Sequence, residues 1–177
     1  EVLQLSKVRD ASTSEETYME VIRGKTAMLF EASSHSAAVL AGADEVQTEA
    51  LRVFGDHLGV AFQLMDDLLD YRGDAQAMGK NVGDDLAEGK PTLPLIHAMR
   101  EGTPAQAELV RKAIQQGGSQ DIESIRATVE AAGSLDYTAQ LARDFAEKAI
   151  QCLSTLPASQ YRDALSELTR FAVARSN

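Results

Sequence analysis

The sequence is poor in cysteine, which cross-links a chain, and in proline, which interrupts helices, and it lacks tryptophan. Among its 177 residues there are one cysteine, Cys152, no tryptophan and only 4 prolines. A single cysteine excludes an internal disulfide, which fits the reducing environment of the cytosol. No apolar run is long enough to cross a bilayer, and no signal peptide is recognisable. We therefore expect a cytoplasmic protein.

Positive charge is also scarce. There are 17 lysines and arginines against 27 acidic residues, and the formal net charge is −10. A nucleic-acid-binding protein needs a basic face to contact phosphates, so this balance argues against that class. A few lysines can still form a local positive pocket for a phosphorylated small molecule. The content of hydrophobic residues, 44%, is that of a globular protein with one core.

Apolar residues recur at helical rather than alternating spacing, so the sequence predicts a single all-α bundle. Thr13 with Glu16 is typical of a capping box and predicts a helix that runs to about Gly42. The residues of this helix expected to face inward are Tyr18, Ile22, Ala27, Leu29 and Phe30.

Further helix limits follow from capping residues and glycines. Asp44 is the expected N-cap of the next helix, which runs to about Tyr71. Glycines predict a loop over residues 72–90, and Pro91 suits the first turn of another helix. Later helices are predicted to begin at Thr103-Pro104, Ser119, Ser134 and Ser159 and to end at Gly117-Gly118, Gly133, Leu156 and Arg175.

The segment FQLMDDLLDYRGDAQAMGKNVGDDLAEGKPTLPL, residues 62–95, places carboxylates inside an apolar helix. Asp66 and Asp70 are four residues apart, and Asp67 and Asp70 three, so their Cβ atoms are expected roughly 5–6 Å from one another. Like charges at this spacing repel unless a cation lies between them. Oxygen ligands favour magnesium, and the lack of a nearby histidine or cysteine argues against zinc.

A carboxylate pair on a helix is more often a solvated face. Here apolar neighbours surround the acids, so the acidic stripe is expected to face a cavity. Lys80 and Lys90 follow among glycines and would contact phosphate oxygens there, although either one alone is an ordinary surface lysine. Lys25, next to Thr26, lies mid-helix and either extends to solvent or reaches into the same cavity.

These segments together resemble the trans-polyprenyl diphosphate synthase family. GVAFQLMDDLLDY followed by GKNVGDDLAEGKPTLPL is similar to its second aspartate-rich region, and YMEVIRGKTAMLFEAS to its Lys-Thr segment. LSELTRFAVARSN is similar to the family's usual C-terminus, so the resemblance covers essentially the whole chain. It implies an isoprenoid-synthase helical bundle that is incomplete here. Residues 1–177 would be the C-terminal part of a single polyprenyl synthetase domain.

The resemblance implies roles for particular residues. Asp66 and Asp70 would hold Mg²⁺, supported by Asp67 as a third metal-site residue. Asp84 would orient Lys80 or a metal-bound water. The residues expected to contact the allylic diphosphate are Lys25, Thr26, Gln63, Lys80 and Lys90. The residues expected to be catalytic are Asp66, Asp70 and Lys25.

The implied reaction adds isopentenyl diphosphate units to an allylic diphosphate and makes a long-chain all-trans polyprenyl diphosphate, the precursor of a quinone side chain. The product would partition to the membrane, and the enzyme is expected to be a homodimer that binds no nucleic acid. The family's first aspartate-rich motif would precede Glu1, so we expect a C-terminal half that is inactive alone. The alternative is a non-catalytic partner subunit of a heteromeric synthase.

An apolar channel for the growing chain is a further expectation. The residues that would line it, or would simply pack in the core, are Val39, Leu40, Phe54, Val60, Phe62 and Leu64. The small-residue run EASSHSAAVLAGA favours close helix packing or a dimer contact, and His35 within it is expected to be structural.

Overall fold

The computed structural model describes residues 1–72, 83–117 and 122–174, and within these ranges the only regular structure is helical. The expected all-α fold class is therefore confirmed. None of the helices in this part of the chain has the length and apolar character needed to cross a bilayer. The elements are α1 (Val2–Lys7), α2 (Glu15–Ile22), a π-turn (Arg23–Ala27), α3 (Met28–Leu40), α4 (Glu45–Arg72), α5 (Asp84–Ala87), α6 (Leu93–Glu101), α7 (Pro104–Gln116), α8 (Ile122–Ala131), α9 (Ser134–Cys152), a 3₁₀ turn (Leu153–Thr155) and α10 (Gln160–Ala174).

Several helix ends follow the capping chemistry expected from the sequence. Asp44 Oδ1 accepts the backbone N–H of Gln47 at 2.8 Å and caps α4. Thr103 and Gln106 form a reciprocal capping box at the start of α7, and Gly117 ends that helix at φ 65°. These ends depend on local hydrogen bonds, and local sequence predicts them correctly. The predicted limits at Gly118, Ser119 and Arg175 lie outside the described residues.

The predicted start of α2 is wrong by one residue. Ser14 Oγ accepts the backbone N–H of Thr17 at 3.1 Å and caps the helix. Thr13 is buried, and its Oγ1 donates to the carbonyl of Asp10 at 2.8 Å. Thr13 therefore stabilises the turn before the helix, because its hydroxyl is already engaged with that turn.

The predicted position of Pro91 is also wrong. Thr92 is the N-cap of α6, and Pro94 is the proline in the first helical turn. A proline is tolerated there because the N–H that it lacks has no helical partner. Pro91 precedes the helix instead.

The five residues Arg23–Ala27 between α2 and α3 form a π-turn. The backbone N–H of Met28 donates to the carbonyl of Arg23, five residues earlier rather than four. Each residue advances a helix by about 100°, so the extra residue rotates everything after the turn relative to a continuous α-helix.

This rotation explains why the prediction of inward-facing residues is wrong after the turn. Tyr18, Ile22 and Ala27 are buried as predicted. Leu29 is 70% exposed, and Phe30 is only half-buried. The apolar spacing assumes a uniform helical period, and the π-turn breaks that period.

The chain divides into two compact units, and α4 runs through both. The described residues of the first unit are 1–21, 66–72, 83–117 and 122–139. Those of the second unit are 22–65 and 140–174.

The first unit has an apolar core in which α6, α7 and α8 pack on one another. A polar cluster joins α2, α6 and α9 within this unit. The buried His97 lies with Nδ1 3.0 Å from Ser134 Oγ, and its ring stacks on Tyr137 at 4.2 Å between centroids. The Tyr137 hydroxyl and Arg100 Nη1 each donate to Glu15 at 2.7 Å. The buried His97 of this cluster therefore has a polar partner in Ser134, as packing in a core requires.

The second unit has its own core where α4, α9 and α10 meet. Its buried members are Phe54, Leu58, Ala149, Leu153 and Ala172. Of the six residues expected to line a channel or fill the core, Phe54, Val60 and Leu64 are buried and Phe62 is half-buried. Val39 and Leu40 are 58% and 87% exposed, so neither fills the core formed by the described residues.

Two glycines on α4 allow the close approach of α3 and the π-turn. A Cβ atom on Gly59 would lie 2.5 Å from Ala27 Cα, and one on Gly55 would lie 2.5 Å from the carbonyl oxygen of Phe30. Both distances are shorter than any real van der Waals contact. Ser34, from the small-residue run, also faces Gly55. The close packing expected of that run is therefore present at Ser34, and the alternative of a dimer contact stays a prediction.

We predict that Gly59→Ala lowers the free energy of unfolding by about 2 kcal/mol, because the added methyl group would overlap backbone atoms that cannot move independently. Gly24→Ala is the matched control. A Cβ atom added to Gly24 would meet no atom of another part of the chain within 4 Å, so this change should leave stability unchanged or raise it by up to about 1 kcal/mol. Urea denaturation measures both, and equal losses would contradict the close-packing argument.

Candidate functional site

The last two turns of α4 contain three aspartates in different environments. Asp66 is exposed, Asp67 is 4% exposed and Asp70 lies between these extremes. Asp66 and Asp70 share a face because four residues complete about one helical turn. Asp67 is rotated about 100° from Asp66 around the helix axis. The structure therefore brings Asp66 and Asp70 together and buries Asp67.

The Asp67 carboxylate forms a hydrogen bond inside the first unit. The buried Tyr18 donates its hydroxyl to Asp67 Oδ2 at 2.6 Å. Burial, and then the charge of Asp67, raises the pKa of Tyr18 well above its ordinary value. The phenol therefore stays protonated and remains a donor. This bond ties α4 to α2.

Asp70 faces the beginning of α5. Its Oδ1 and Oδ2 accept the backbone N–H groups of Asp84 and Asp85 at 3.2 and 3.3 Å. Burial, and then the charge of Asp85, raises the pKa of Asp70 to about 6, although these two hydrogen bonds oppose the shift. The Asp70 carboxylate is therefore ionised at neutral pH against an unfavourable local potential.

Lys90 belongs to the same cluster. Its Nζ lies 3.0 Å from Asp85 Oδ1 and 2.7 Å from Glu88 Oε2. Burial opposes the positive charge, but the hydrogen bonds to Glu88 and Asp85 outweigh it and raise the pKa of Lys90. The side chain is half-buried, and an ammonium group has three N–H donors, so these two carboxylates do not exhaust its capacity. Lys80 lies outside the described residues. The expected role of Asp84 in orienting Lys80 therefore also falls outside them.

The second unit contains the other candidate residues. Thr26 Oγ1 donates to Gln63 Oε1 at 2.7 Å, which joins the π-turn to α4. Lys25 is half-buried and makes no hydrogen bond or ion pair with any residue that the structure describes. An ammonium group in this environment is available to an anionic ligand.

The carboxylates of the first unit fit magnesium better than a metal held entirely by protein ligands. Residues 1–72, 83–117 and 122–174 contain no group of three or more histidine, cysteine or acidic side chains that could hold a metal ion. Magnesium uses one or two carboxylates and fills its other positions with water and phosphate oxygens. Asp66 and Asp70 provide that number. A cation beside Asp70 would also offset the repulsion from Asp85.

Sequence reasoning missed two features of this cluster. The bond between Tyr18 and Asp67 had a signal, because the sequence predicts a buried Tyr18 and a buried phenol needs a hydrogen-bond partner. The rise in the pKa of Asp70 caused by the charge of Asp85 had no such signal in the sequence. It depends on how the chain returns after α4, and no local pattern specifies that path.

The comparisons with known proteins identify the family of this chain. Residues 1–132 match the family model described as polyprenyl synthetase. The chain belongs to the polyprenyl synthetase family. It is 51% identical over 177 residues to the octaprenyl diphosphate synthase of Haemophilus influenzae, an alignment that covers 99% of this chain and 54% of that protein. It is also 51% identical over 176 residues to the octaprenyl diphosphate synthase of Escherichia coli, with the same coverage.

Solved structures of polyprenyl synthases share the fold. A polyprenyl synthase from Caulobacter crescentus, crystallised with calcium and isoprenyl diphosphate, matches with a TM-score of 0.92 and 46% identity, over 99% of this chain and 54% of that chain. A decaprenyl diphosphate synthase from Rhodobacter capsulatus matches with a TM-score of 0.91 and 39% identity, over 99% and 55%. The expected isoprenoid-synthase bundle is confirmed. This chain spans about half the length of these relatives.

We predict that Asp70 titrates near pH 6 in the metal-free protein and that Asp85→Asn lowers this pKa. Asp84→Asn is the control and should lower the pKa of Asp70 less, because Asp84 contributes less to the shift than Asp85 does. The chemical shift of the Asp70 carboxyl carbon, followed by NMR against pH, measures both. Equal shifts in the two variants would contradict the assigned cause.

The same shift predicts a pH-dependent effect on stability. The pKa of Asp70 in the folded state, about 6, exceeds its ordinary value of 3.8, so ionisation of Asp70 opposes folding. This penalty is complete above pH 6 and is lost as the pH falls to 3.8. Asp70→Asn should therefore stabilise the metal-free protein more at pH 8 than at pH 4 in urea denaturation. A larger gain at the lower pH would reverse the assigned sign.

Proposed function

We propose that this chain is part of a prenyltransferase that condenses isopentenyl diphosphate units onto an allylic diphosphate. The product is a long-chain all-trans polyprenyl diphosphate, octaprenyl-like, that supplies a quinone side chain. Family membership supports prenyl transfer. The identity of 51% with two octaprenyl diphosphate synthases supports a long product.

The carboxylate pair Asp66 and Asp70 is the observation that carries this proposal. Burial, and then the charge of Asp85, raises the pKa of Asp70, so a bound cation would favour the charged form of its carboxylate. A divalent ion bound there has open positions for the oxygens of a diphosphate. We therefore assign Asp66 and Asp70 as Mg²⁺ ligands, and Asp67 as the metal-site residue that supports them through its bond to Tyr18.

The diphosphate of the allylic substrate is the second ligand in the proposal. Lys25 supports this assignment because its residue is half-buried and its ammonium group has no hydrogen-bond or ion-pair partner in the described part of the chain. Thr26 and Gln63 hold each other in a fixed orientation at 2.7 Å. The residues assigned to contact the diphosphate are Lys25, Thr26, Gln63, Lys80 and Lys90.

The chemistry requires stabilisation of a leaving group. The allylic C–O bond breaks, the double bond of isopentenyl diphosphate attacks the allylic cation, and a proton is lost. Bound magnesium would neutralise the charge that develops on the departing diphosphate. Lys25 would add a fixed positive charge to that anion. Asp66, Asp70 and Lys25 are therefore the proposed catalytic residues.

The remaining assignments concern the whole protein. We propose that residues 1–177 form the C-terminal part of one polyprenyl synthetase domain and are inactive alone. The active protein would be a cytoplasmic homodimer whose product partitions to the membrane. Its two substrates are anionic diphosphates, and it binds no nucleic acid, which accords with the net charge of −10.

We predict that Asp66→Asn, in a protein of the relatives' full length that contains this chain, lowers turnover at least about 100-fold, because the leaving group loses its electrostatic stabilisation. Lys25→Ala should raise the KM for the allylic diphosphate about 10-fold or more. Incorporation of labelled isopentenyl diphosphate at several Mg²⁺ concentrations measures both. Asp163→Asn, which changes an exposed acid on α10, is the control and should leave turnover unchanged.

Two results would contradict this proposal. Turnover by Asp66→Asn at the wild-type rate would exclude the metal assignment. A wild-type protein that forms no product itself but activates a separate synthase would instead identify the non-catalytic partner subunit.

A further inference from the structure

Helix α4 contacts the π-turn at three positions of a single helical face. The positions are spaced i, i+3 and i+7, which places their side chains on one side of α4. Each position meets a different residue of the turn. The pairs are Asp56 with Arg23, Gly59 with Ala27 and Gln63 with Thr26.

A π-turn needs this kind of support because it is rare and is intrinsically less favourable than α-helix. Gly59 lets the backbone of Ala27 approach α4 more closely than any side chain would allow. The bond from Thr26 to Gln63 holds the C-terminal part of the turn. The first residue of the turn, Arg23, is held by an ion pair.

The Arg23 ion pair lies in a partly enclosed environment. Arg23 Nε is 3.6 Å from Asp56 Oδ1, and the Asp56 side chain is only 20% exposed. The guanidinium carbon of Arg23 is 5.9 Å from the centroid of the Phe145 ring, which Lys148 Nζ also contacts at 4.8 Å. Asp56 Oδ2 lies 3.3 Å from His57 Nδ1. Such a pair is screened less by water than an ion pair on an open surface.

The extra residue of the turn decides where Lys25 and Thr26 point. A return to α-helical geometry would rotate these residues by about 100° relative to α3. Thr26 would then lose the geometry of its bond to Gln63, which is 2.7 Å long in the π-turn. Any ligand that needs Lys25 and Thr26 together therefore depends on the contacts that keep the turn in π geometry.

We propose that Asp56 is a positioning residue that holds Arg23, and with it the π-turn, so that Lys25 is oriented for a diphosphate. Asp56 touches no substrate in this proposal. The inference rests on the proposed function in one respect, the assignment of Lys25 to the diphosphate. It adds a residue that lies outside the aspartate-rich and Lys-Thr segments.

The test uses the full chain, with Asp56→Asn and Arg23→Gln as two independent ways to remove the ion pair. Glu49→Gln is the matched control. Glu49 is likewise an acid of α4 that pairs with an arginine, but its partner, Arg52 Nη2 at 2.7 Å, lies on the same helix and not in the π-turn. Hydrogen exchange of the Met28 amide, which donates to Arg23 in the π-turn, reports on the turn directly. We expect about 10-fold faster exchange in both ion-pair variants, through local opening, and no change in Glu49→Gln.

Calorimetric titration with inorganic pyrophosphate and Mg²⁺ gives the second readout. Asp56→Asn and Arg23→Gln should each weaken pyrophosphate binding about 5-fold or more. Because Asp56 acts through Lys25, adding Asp56→Asn to Lys25→Ala should cause little further loss. Arg23 is 46% exposed, so Arg23→Gln leaves the core intact and decides the question even where Asp56→Asn lowers stability.

The outcomes separate this inference from the proposed function. If Lys25→Ala weakens pyrophosphate binding and neither ion-pair variant does, the role of Asp56 is wrong and the assignment of Lys25 stands. If the losses from Asp56→Asn and Lys25→Ala add fully, Asp56 acts independently of Lys25 and positioning is excluded. If Lys25→Ala binds pyrophosphate as the wild type does, the assignment of Lys25 fails and the inference fails with it.

Discussion

The partial burial of the Asp70 carboxylate, with the charge of Asp85 acting on it, is the constraint on which the candidate metal site depends. Burial, and then the charge of Asp85, raises the pKa of Asp70 to about 6, although two backbone hydrogen bonds oppose the shift. Hydrogen bonds within the first unit hold the segments that contain these groups. Tyr18 holds the neighbouring Asp67 at 2.6 Å, and the backbone of Asp84 and Asp85 is bonded to Asp70 itself. The Asp70 carboxylate thus keeps its charge in an unfavourable environment, and a divalent cation bound beside it would stabilise that charge.

The second unit uses a different constraint, the absence of side chains at Gly55 and Gly59. These two positions let α3 and the π-turn come within backbone contact of α4. Close approach brings Thr26 within 2.7 Å of Gln63 and Arg23 within 3.6 Å of Asp56. The orientation of Lys25 therefore depends on packing several residues away from it, whereas the residue itself makes no polar contact in the described part of the chain.

The sequence predicts those features that depend on neighbours along the chain. The caps at Asp44 and Thr103 and the helical class follow from local hydrogen bonds and apolar spacing. The exposure of Leu29 does not, because the π-turn interrupts the helical period that the prediction assumes. The ion pair of Lys90 with Asp85 joins residues only five apart, but it forms across the turn after α5, and helical spacing does not predict it.

The aspartate-rich segment shows why a motif identifies a family more readily than it assigns roles. Spacing alone makes Asp66, Asp67 and Asp70 equivalent candidates for a metal. Burial separates them, because Asp67 is 4% exposed and accepts the hydroxyl of a protonated tyrosine, whereas Asp66 is exposed. A carboxylate already satisfied inside the protein gains less from a metal than one whose charge is opposed by its surroundings. This difference supports the proposal that Asp70, together with Asp66 on the same face, would be the pair that binds a cation.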